Sequence, residues 1–148
     1  MMTLIPTDLR FALNLNGHSS RIHRARETHF DPWPVVKFFS PVGAATWLAS
    51  EIDGDGDTLF GLADLGFGCP ELGCFSLAEI AAVRLPFGLG IERDLHFDPL
   101  APLSLWTDAA RRLGSIQLAE KALLRRKLDQ LLPDPPTGPE REARGEGS

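Results

Sequence analysis

Residues 34–64 read PVVKFFSPVGAATWLASEIDGDGDTLFGLAD, and the punctuation of this stretch decides the fold. Residues 34–39 and 44–52 are rich in β-branched and aromatic side chains. Pro41 and Gly43 stand between them, as expected of two strands joined by a hairpin. Asp53-Gly54-Asp55-Gly56-Asp57 is a second turn, and Thr58–Asp64 is a third strand. Tight turns between short strands make an antiparallel meander, because parallel neighbours need a crossover of a dozen or more residues.

Downstream, residues 66–74 (GFGCPELGC) are glycine-rich and read as irregular. Ser76–Arg84 is a helix, with Ser76 as N-cap and Glu79 three residues on completing a capping box. Residues 86–90 break it. Residues 91–97 give a last strand, with Ile91, Arg93, Leu95 and Phe97 on one side and Glu92, Asp94 and His96 on the other. Upstream, residues 6–16 read as a short helix: Pro6 suits its first turn, Asp8 its positive end and Gly17 its stop. Residues 18–32 lack periodicity and read as a mobile basic loop holding His18, His23, His29, Arg21, Arg24 and Arg26.

Residues 104–113 and 115–132 are one long helix or two, depending on Gly114. In the second part Ile116, Ala119, Leu123, Leu124, Leu128 and Leu131 share one broad stripe. Lys127 interrupts it, so residues 115–126 are expected to pack on the body or on a second chain, while 127–132 project or pack at an interface edge. Residues 133–148 have one alanine and no other apolar side chain, and read as a disordered tail. The expectation is a single α+β domain over residues 1–132. Its antiparallel sheet has strands near 34–39, 44–52, 58–64 and 91–97, covered by helices near 6–16, 76–84 and 104–132.

Charge is segregated along the chain. Residues 31–110 hold three basic groups (Lys37, Arg84, Arg93) against twelve acidic ones, whereas both flanks are net basic. An acidic body with basic ends points to cations, basic proteins or a second copy as partners, with residues 115–132 as the self-association surface. An isoelectric point near 5.3 argues against direct nucleic-acid binding. Cys69 and Cys74, the only cysteines, cannot close a four-ligand zinc site and read as free thiols. The first residues lack the pattern of a secretion signal, and no stretch approaches the ~18 apolar residues of a membrane span. The expected location is the cytoplasm.

The sharpest local pattern is Asp53-x-Asp55-x-Asp57 with Asp64 at the twelfth position, the outline of a calcium loop. Thr58 stands where that loop needs glycine, Asp64 where it needs glutamate, and the flanks are strands. A polar hairpin turn is the competing reading. With Glu51, the four aspartates would make a calcium- or magnesium-dependent hydrolase site. Glu51, Glu71, Glu92 and Asp94 are the candidates for contact with a basic partner. His18, His23 and His29 are spaced too widely for helical zinc ligation; the neighbouring arginines suit phosphate or partner contact. The glycines form no phosphate loop, no G-x-S-x-G elbow exists, and Ser76 is explained as a cap. Trp33, Trp47 and Trp106 read as core or as lids over it.

Four strings, LIPTDLRFALNLNG, PVVKFFSPVGAATWLASEID, LFGLADLGFGCPELGCFSLAEI and GLGIERDLHF, resemble the bacterial family catalogued as domain of unknown function 2958, over residues 3–110. The resemblance implies a small protein of proteobacterial plasmids and integrated mobile elements. It carries over no activity and no catalytic residues. The functional expectation is a non-enzymatic acidic module that binds a basic host or plasmid protein, with antirestriction-type mimicry as its extension. The alternative is the metal-dependent hydrolase.

Overall fold

A computed structural model describes residues 4–132; the expected tail at 133–148 lies outside the described residues. The elements run α1 (Thr7–Ala25), β1 (Val36–Phe39), β2 (Thr46–Ile52), β3 (Thr58–Asp64), β4 (Glu71–Ser76), α2 (Leu77–Ala82), a single 3-10 turn (Pro86–Gly88), β5 (Glu92–Arg93), α3 (Leu103–Leu113) and α4 (Ile116–Leu131). All neighbouring strands are antiparallel, in the order β4-β3-β2-β1-β5. The fold is α+β, with helices at the N-terminal, middle and C-terminal positions.

Each sheet face buries its own apolar cluster. On one face Phe38, Trp47, Ala49, Ile52 and Leu59 pack with Leu13 of α1 and Ile80 of α2. On the other, Leu48 and Leu62 pack beneath Trp106, Ala110, Ile116, Ala119 and Leu123 of α3 and α4. Trp106 is fully buried and its Nε1–H donates to Pro99 O at 2.6 Å. Trp47 is buried too, whereas Trp33 stands half-exposed.

Three expectations are corrected. First, α1 does not stop at Gly17 but continues to Ala25, so residues 18–25 are helix rather than mobile loop. Gly17 is there for closeness: a Cβ on it would lie 2.5 Å from Ile52 O, so only glycine lets α1 sit on the end of β2. Second, residues 71–76 are not irregular but form β4, paired from Thr58↔Ser76 to Ala63↔Glu71. Third, the strand expected over 91–97 shrinks to Glu92–Arg93. Asp94 and Asp98 turn the backbone by accepting the N–H groups of His96 (2.9 Å) and Leu100 (3.2 Å). Of the two arrangements left open for the C-terminal segment, it adopts two helices: Gly114 ends α3 at φ 88°, and the Ser115 hydroxyl caps α4 by accepting from Leu118 N–H at 3.0 Å.

The middle helix forms as expected but shorter, with the Ser76 hydroxyl accepting from Glu79 N–H at 3.2 Å. In α4, Ile116, Ala119 and Leu123 are buried, while Leu124, Leu128 and Leu131 remain exposed. Lys127 turns to Asp98 in an ion pair.

Candidate functional site: a cleft around Glu51

The site begins with an irregularity in β2. The register runs Ala49↔Gly61 and then Glu51↔Phe60, so Ser50 is an extra residue, a β-bulge. Trp47 and Ala49 face α1, and Ile52 returns to that side. The bulge therefore turns Glu51 to the opposite face, beside Phe60 and beneath α3. The surroundings hold the bulge in place. Ser50 Oγ donates to Phe60 O at 3.3 Å, and Asn16 Nδ2 of α1 donates to Ser50 O at 2.8 Å. Across the pair, a Cβ on Gly61 would lie 1.8 Å from Leu48 O, so only glycine fits.

Three further pieces close around Glu51. The seat at Gly17 brings the last turns of α1, with Ser20, Arg21 and Arg24, alongside it. Residues 29–32 then wrap from α1 to the start of α3. They are clasped there: Asp31 Oδ1 accepts from Ser104 N–H at 3.0 Å, Asp31 Oδ2 accepts from the Ser104 hydroxyl, and Pro32 O accepts from Leu103 N–H at 2.8 Å. Asp31 thus caps α3, whose own N-cap, Pro102, offers no side-chain oxygen. α3 supplies Leu103, Thr107, Asp108 and Arg111 as the opposite wall.

The result is a cleft of about 440 Å³. Phe30, Pro32, Phe60, Leu72 and Leu103 give it apolar walls; Arg24, His29, Asp108 and Arg111 surround them with charge. A smaller hollow of about 200 Å³ adjoins it and shares Ser20, Arg24, Glu51 and Phe60. Burial pushes the Glu51 carboxyl above its ordinary range; a hydrogen bond from Ser20 and the nearby guanidinia of Arg24 and Arg21 pull it partly back. Yet no Lys, Arg or His among the described residues forms an ion pair with Glu51. It is a half-buried carboxylate without a fixed counter-ion, in an open cleft.

The other sequence-predicted residues are placed elsewhere. Asp53, Asp55 and Asp57 share the β2–β3 turn, while Asp64 lies at the far end of β3, so the four do not form a calcium loop. A hairpin takes the place of the helix–loop–helix such a loop needs. Each carboxylate is already engaged. Asp53 pairs with Arg21 at 3.7 Å. Asp55 holds the turn by accepting from Thr58 Oγ1 (2.6 Å) and from the N–H groups of Thr58 and Asp57; these bonds, the Thr58 hydroxyl first, keep its carboxyl below the usual range. Asp57 fastens α2 by accepting from Ser76 Oγ and Ala78 N–H, both at 2.7 Å. Asp64 is buried and accepts from Gly66 N–H (2.8 Å) and Ile116 N–H (2.9 Å), joining β3 to the start of α4. Among the described residues no group of three or more His, Cys, Asp or Glu is arranged to hold a metal ion.

Nor do Glu51, Glu71, Glu92 and Asp94 converge. Glu71 lies on one edge strand and Glu92 on the other, with Glu51 on the central strand. Asp94 lies 3.5 Å from Lys37, whose buried ammonium is also held by Glu120 at 2.9 and 3.1 Å. Cys69 and Cys74 are exposed free thiols. His23 bonds Thr28 Oγ1 at 2.7 Å and stacks on Phe30, and of the three loop histidines only His29 lines the cleft. Sequence reasoning missed Ser20, Thr107, Asp108 and Arg111 as site residues, since nothing local marks them. Lys37 did carry a signal: a lysine inside the apolar run PVVKFF must find carboxylates or cost stability.

The fold and the cleft together describe an α+β chain with a recess on the α3-covered face of its sheet, built around a carboxylate that forms no ion pair among the described residues. The family model described as Protein of unknown function (DUF2958) matches residues 4–117, and the chain belongs to that family. The matched span contains every residue that lines the Glu51 cleft. No curated protein and no solved structure matches the chain. Among the described residues no helix is long and apolar enough to cross a membrane.

Proposed function

We propose that this protein is a non-enzymatic binding module, an accessory of a bacterial mobile element, and that it recognises a basic segment of a host or plasmid protein by taking one Arg or Lys side chain into the Glu51 cleft. The observation that carries this reading is the unpaired, half-buried Glu51 carboxylate. Burial has removed part of its hydration, and although Arg24 and Arg21 lie near, no cation among the described residues comes within ion-pair distance of it. A guest ammonium or guanidinium supplies that missing partner, and hydrogen bonds to charged groups contribute about 1.5–3 kcal/mol. Phe60, Leu72 and Leu103 suit the aliphatic stem of such a side chain. Arg24 and Arg111 around the walls can donate to the carbonyls of the guest's backbone.

The reading narrows the acidic-module expectation to one recess. Glu71 and Glu92 lie on opposite sheet edges and the Asp53–Asp57 turn is elsewhere, which does not favour broad mimicry of a nucleic acid by one continuous acidic face. The test is fluorescence anisotropy with a labelled arginine- and lysine-containing peptide at low and high salt. Binding that weakens with salt, and drops tenfold or more in Glu51→Gln, supports the proposal. Equal affinity for wild type and Glu51→Gln, or no binding of any basic peptide, overturns it.

A further inference from the structure

α1 is apolar on two sides. One side, through Leu13 and Gly17, docks on the sheet. The other faces away from the sheet and carries Phe11, Leu15 and Ile22, which are 64%, 51% and 39% exposed, with His18 between them. At 100° per residue these four positions fall within about 60° of arc, opposite the docked side. A stripe about three turns long on a solvent-facing helix marks an interface rather than scattered surface residues.

We propose that a second copy of the chain covers this stripe, α1 against α1 in antiparallel orientation. Two features favour that occupant. The spacing 11-15-18-22, in steps of four, three and four, reads the same in both directions. An antiparallel copy therefore lays Phe11 on Ile22 of the second copy and Leu15 beside its His18, in two equivalent sets. The charges match that register as well. Asp8 and Arg26 are 18 residues apart, five full turns, so they lie on the same flank of the stripe. In the antiparallel pair each Asp8 comes within one residue's rise of the other copy's Arg26, giving an ion pair at both ends. Both residues are exposed, and neither forms an ion pair within the chain among the described residues. The other arginines near the stripe are engaged, Arg10 with Gly56 O at 3.1 Å and Arg21 with Asp53. The contact would cover on the order of 400 Å² per copy, about half of a standard interface, so the dimer is weak and shows at high concentration. It uses the side of α1 opposite the Glu51 cleft and stands independently of the proposed function.

Sedimentation of the full chain up to about 1 mM tests this, because dimerisation follows mass action. The expected result is a mass rising towards two copies for wild type, and one copy at all concentrations for Leu15→Glu, with an unchanged melting temperature because Leu15 is exposed. The register has its own test. Asp8→Arg alone and Arg26→Asp alone place like charges opposite one another and associate less than wild type. Mixed, they form a heterodimer at least as tight as the wild-type pair. A wild type that stays single at 1 mM overturns the proposal. So does a Leu15→Glu that dimerises normally, or a mixture no tighter than either variant. Loss of the dimer in Leu128→Glu but not in Leu15→Glu would assign the interface to α4 and equally overturn it.

Discussion

Gly61→Ala probes the join on which the cleft depends. An ideal Cβ at residue 61 would lie 1.8 Å from Leu48 O, 2.8 Å from Leu48 C and 3.0 Å from Ala49 Cα, whereas ordinary contact begins at 3.4 Å. All three atoms are backbone of the paired strand, so no side chain can swing away. β2 and β3 would have to separate by about 1.6 Å at this point, a third of the ~4.8 Å spacing between strands. One or two ladder hydrogen bonds would go, at about 1 kcal/mol each, on top of an overpacking cost of about 1–3 kcal/mol. The expected loss is about 3–4 kcal/mol from a total of roughly 5–15, and a melting temperature lower by about 6–16 °C. Gly73 is the internal control. It pairs with Gly61 in the register, yet a Cβ there would meet nothing within 4 Å. Gly73→Ala should be neutral or slightly stabilising. Urea denaturation of the two variants, with slopes compared to exclude a change in the unfolded state, checks both statements. A Gly61→Ala protein within 1 kcal/mol of wild type would refute the close approach and the bulge geometry built on it.

Other perturbations follow from the same structure. Lys37→Met leaves Glu120 and Asp94 without their shared cation and should cost about 2 kcal/mol, less than a fully buried pair because both carboxylates keep some solvent; adding Glu120→Leu should recover part of the loss by denaturant titration. Asp64→Ala strands the N–H groups of Gly66 and Ile116 and should cost about 3 kcal/mol, with Asp64→Asn, which keeps one acceptor oxygen, falling between it and wild type. Glu51→Gln should raise the melting temperature at pH 7 by up to about 2 °C. The sign follows from a folded-state pKa raised by burial: ionised Glu51 costs stability above that pKa, and the cost disappears as pH falls towards the unfolded value of 4.5. Melting curves from pH 7 to pH 4 should therefore show the variant's advantage shrinking to nothing.

The meander was legible because its signals are local: a turn of alternating Asp and Gly between two β-rich runs permits little else. β4 was not, since ELGCFS has no apolar alternation and owes its order to the open edge of β3. Gly17 looked like a helix stop because the sequence cannot distinguish a glycine required by its own torsion angles from one required by a neighbour's carbonyl. The strand expected over 91–97 was cut short by Asp94 and Asp98, whose side chains compete with the ladder for the backbone. Glu51 was singled out from sequence, but in the company of Asp53, Asp55, Asp57 and Asp64. Phe60 faces it across the same hairpin, but the other residues of the cleft, Ser20, Arg24, Thr107 and Arg111, are distant in the chain. They meet only through a bulge whose existence depends on the register of two strands. That register, and with it the face on which Glu51 emerges, is a tertiary fact.

The most direct measurement is a backbone amide chemical-shift titration of the full chain with a short arginine-containing peptide, repeated with Glu51→Gln. The largest changes are expected at Ser20, Arg24, Glu51, Phe60, Leu103 and Thr107, saturating with peptide and vanishing in the variant. Changes gathered instead at the Asp53–Asp57 turn or the edge strands, or changes at the cleft that persist in Glu51→Gln, would contradict the proposal.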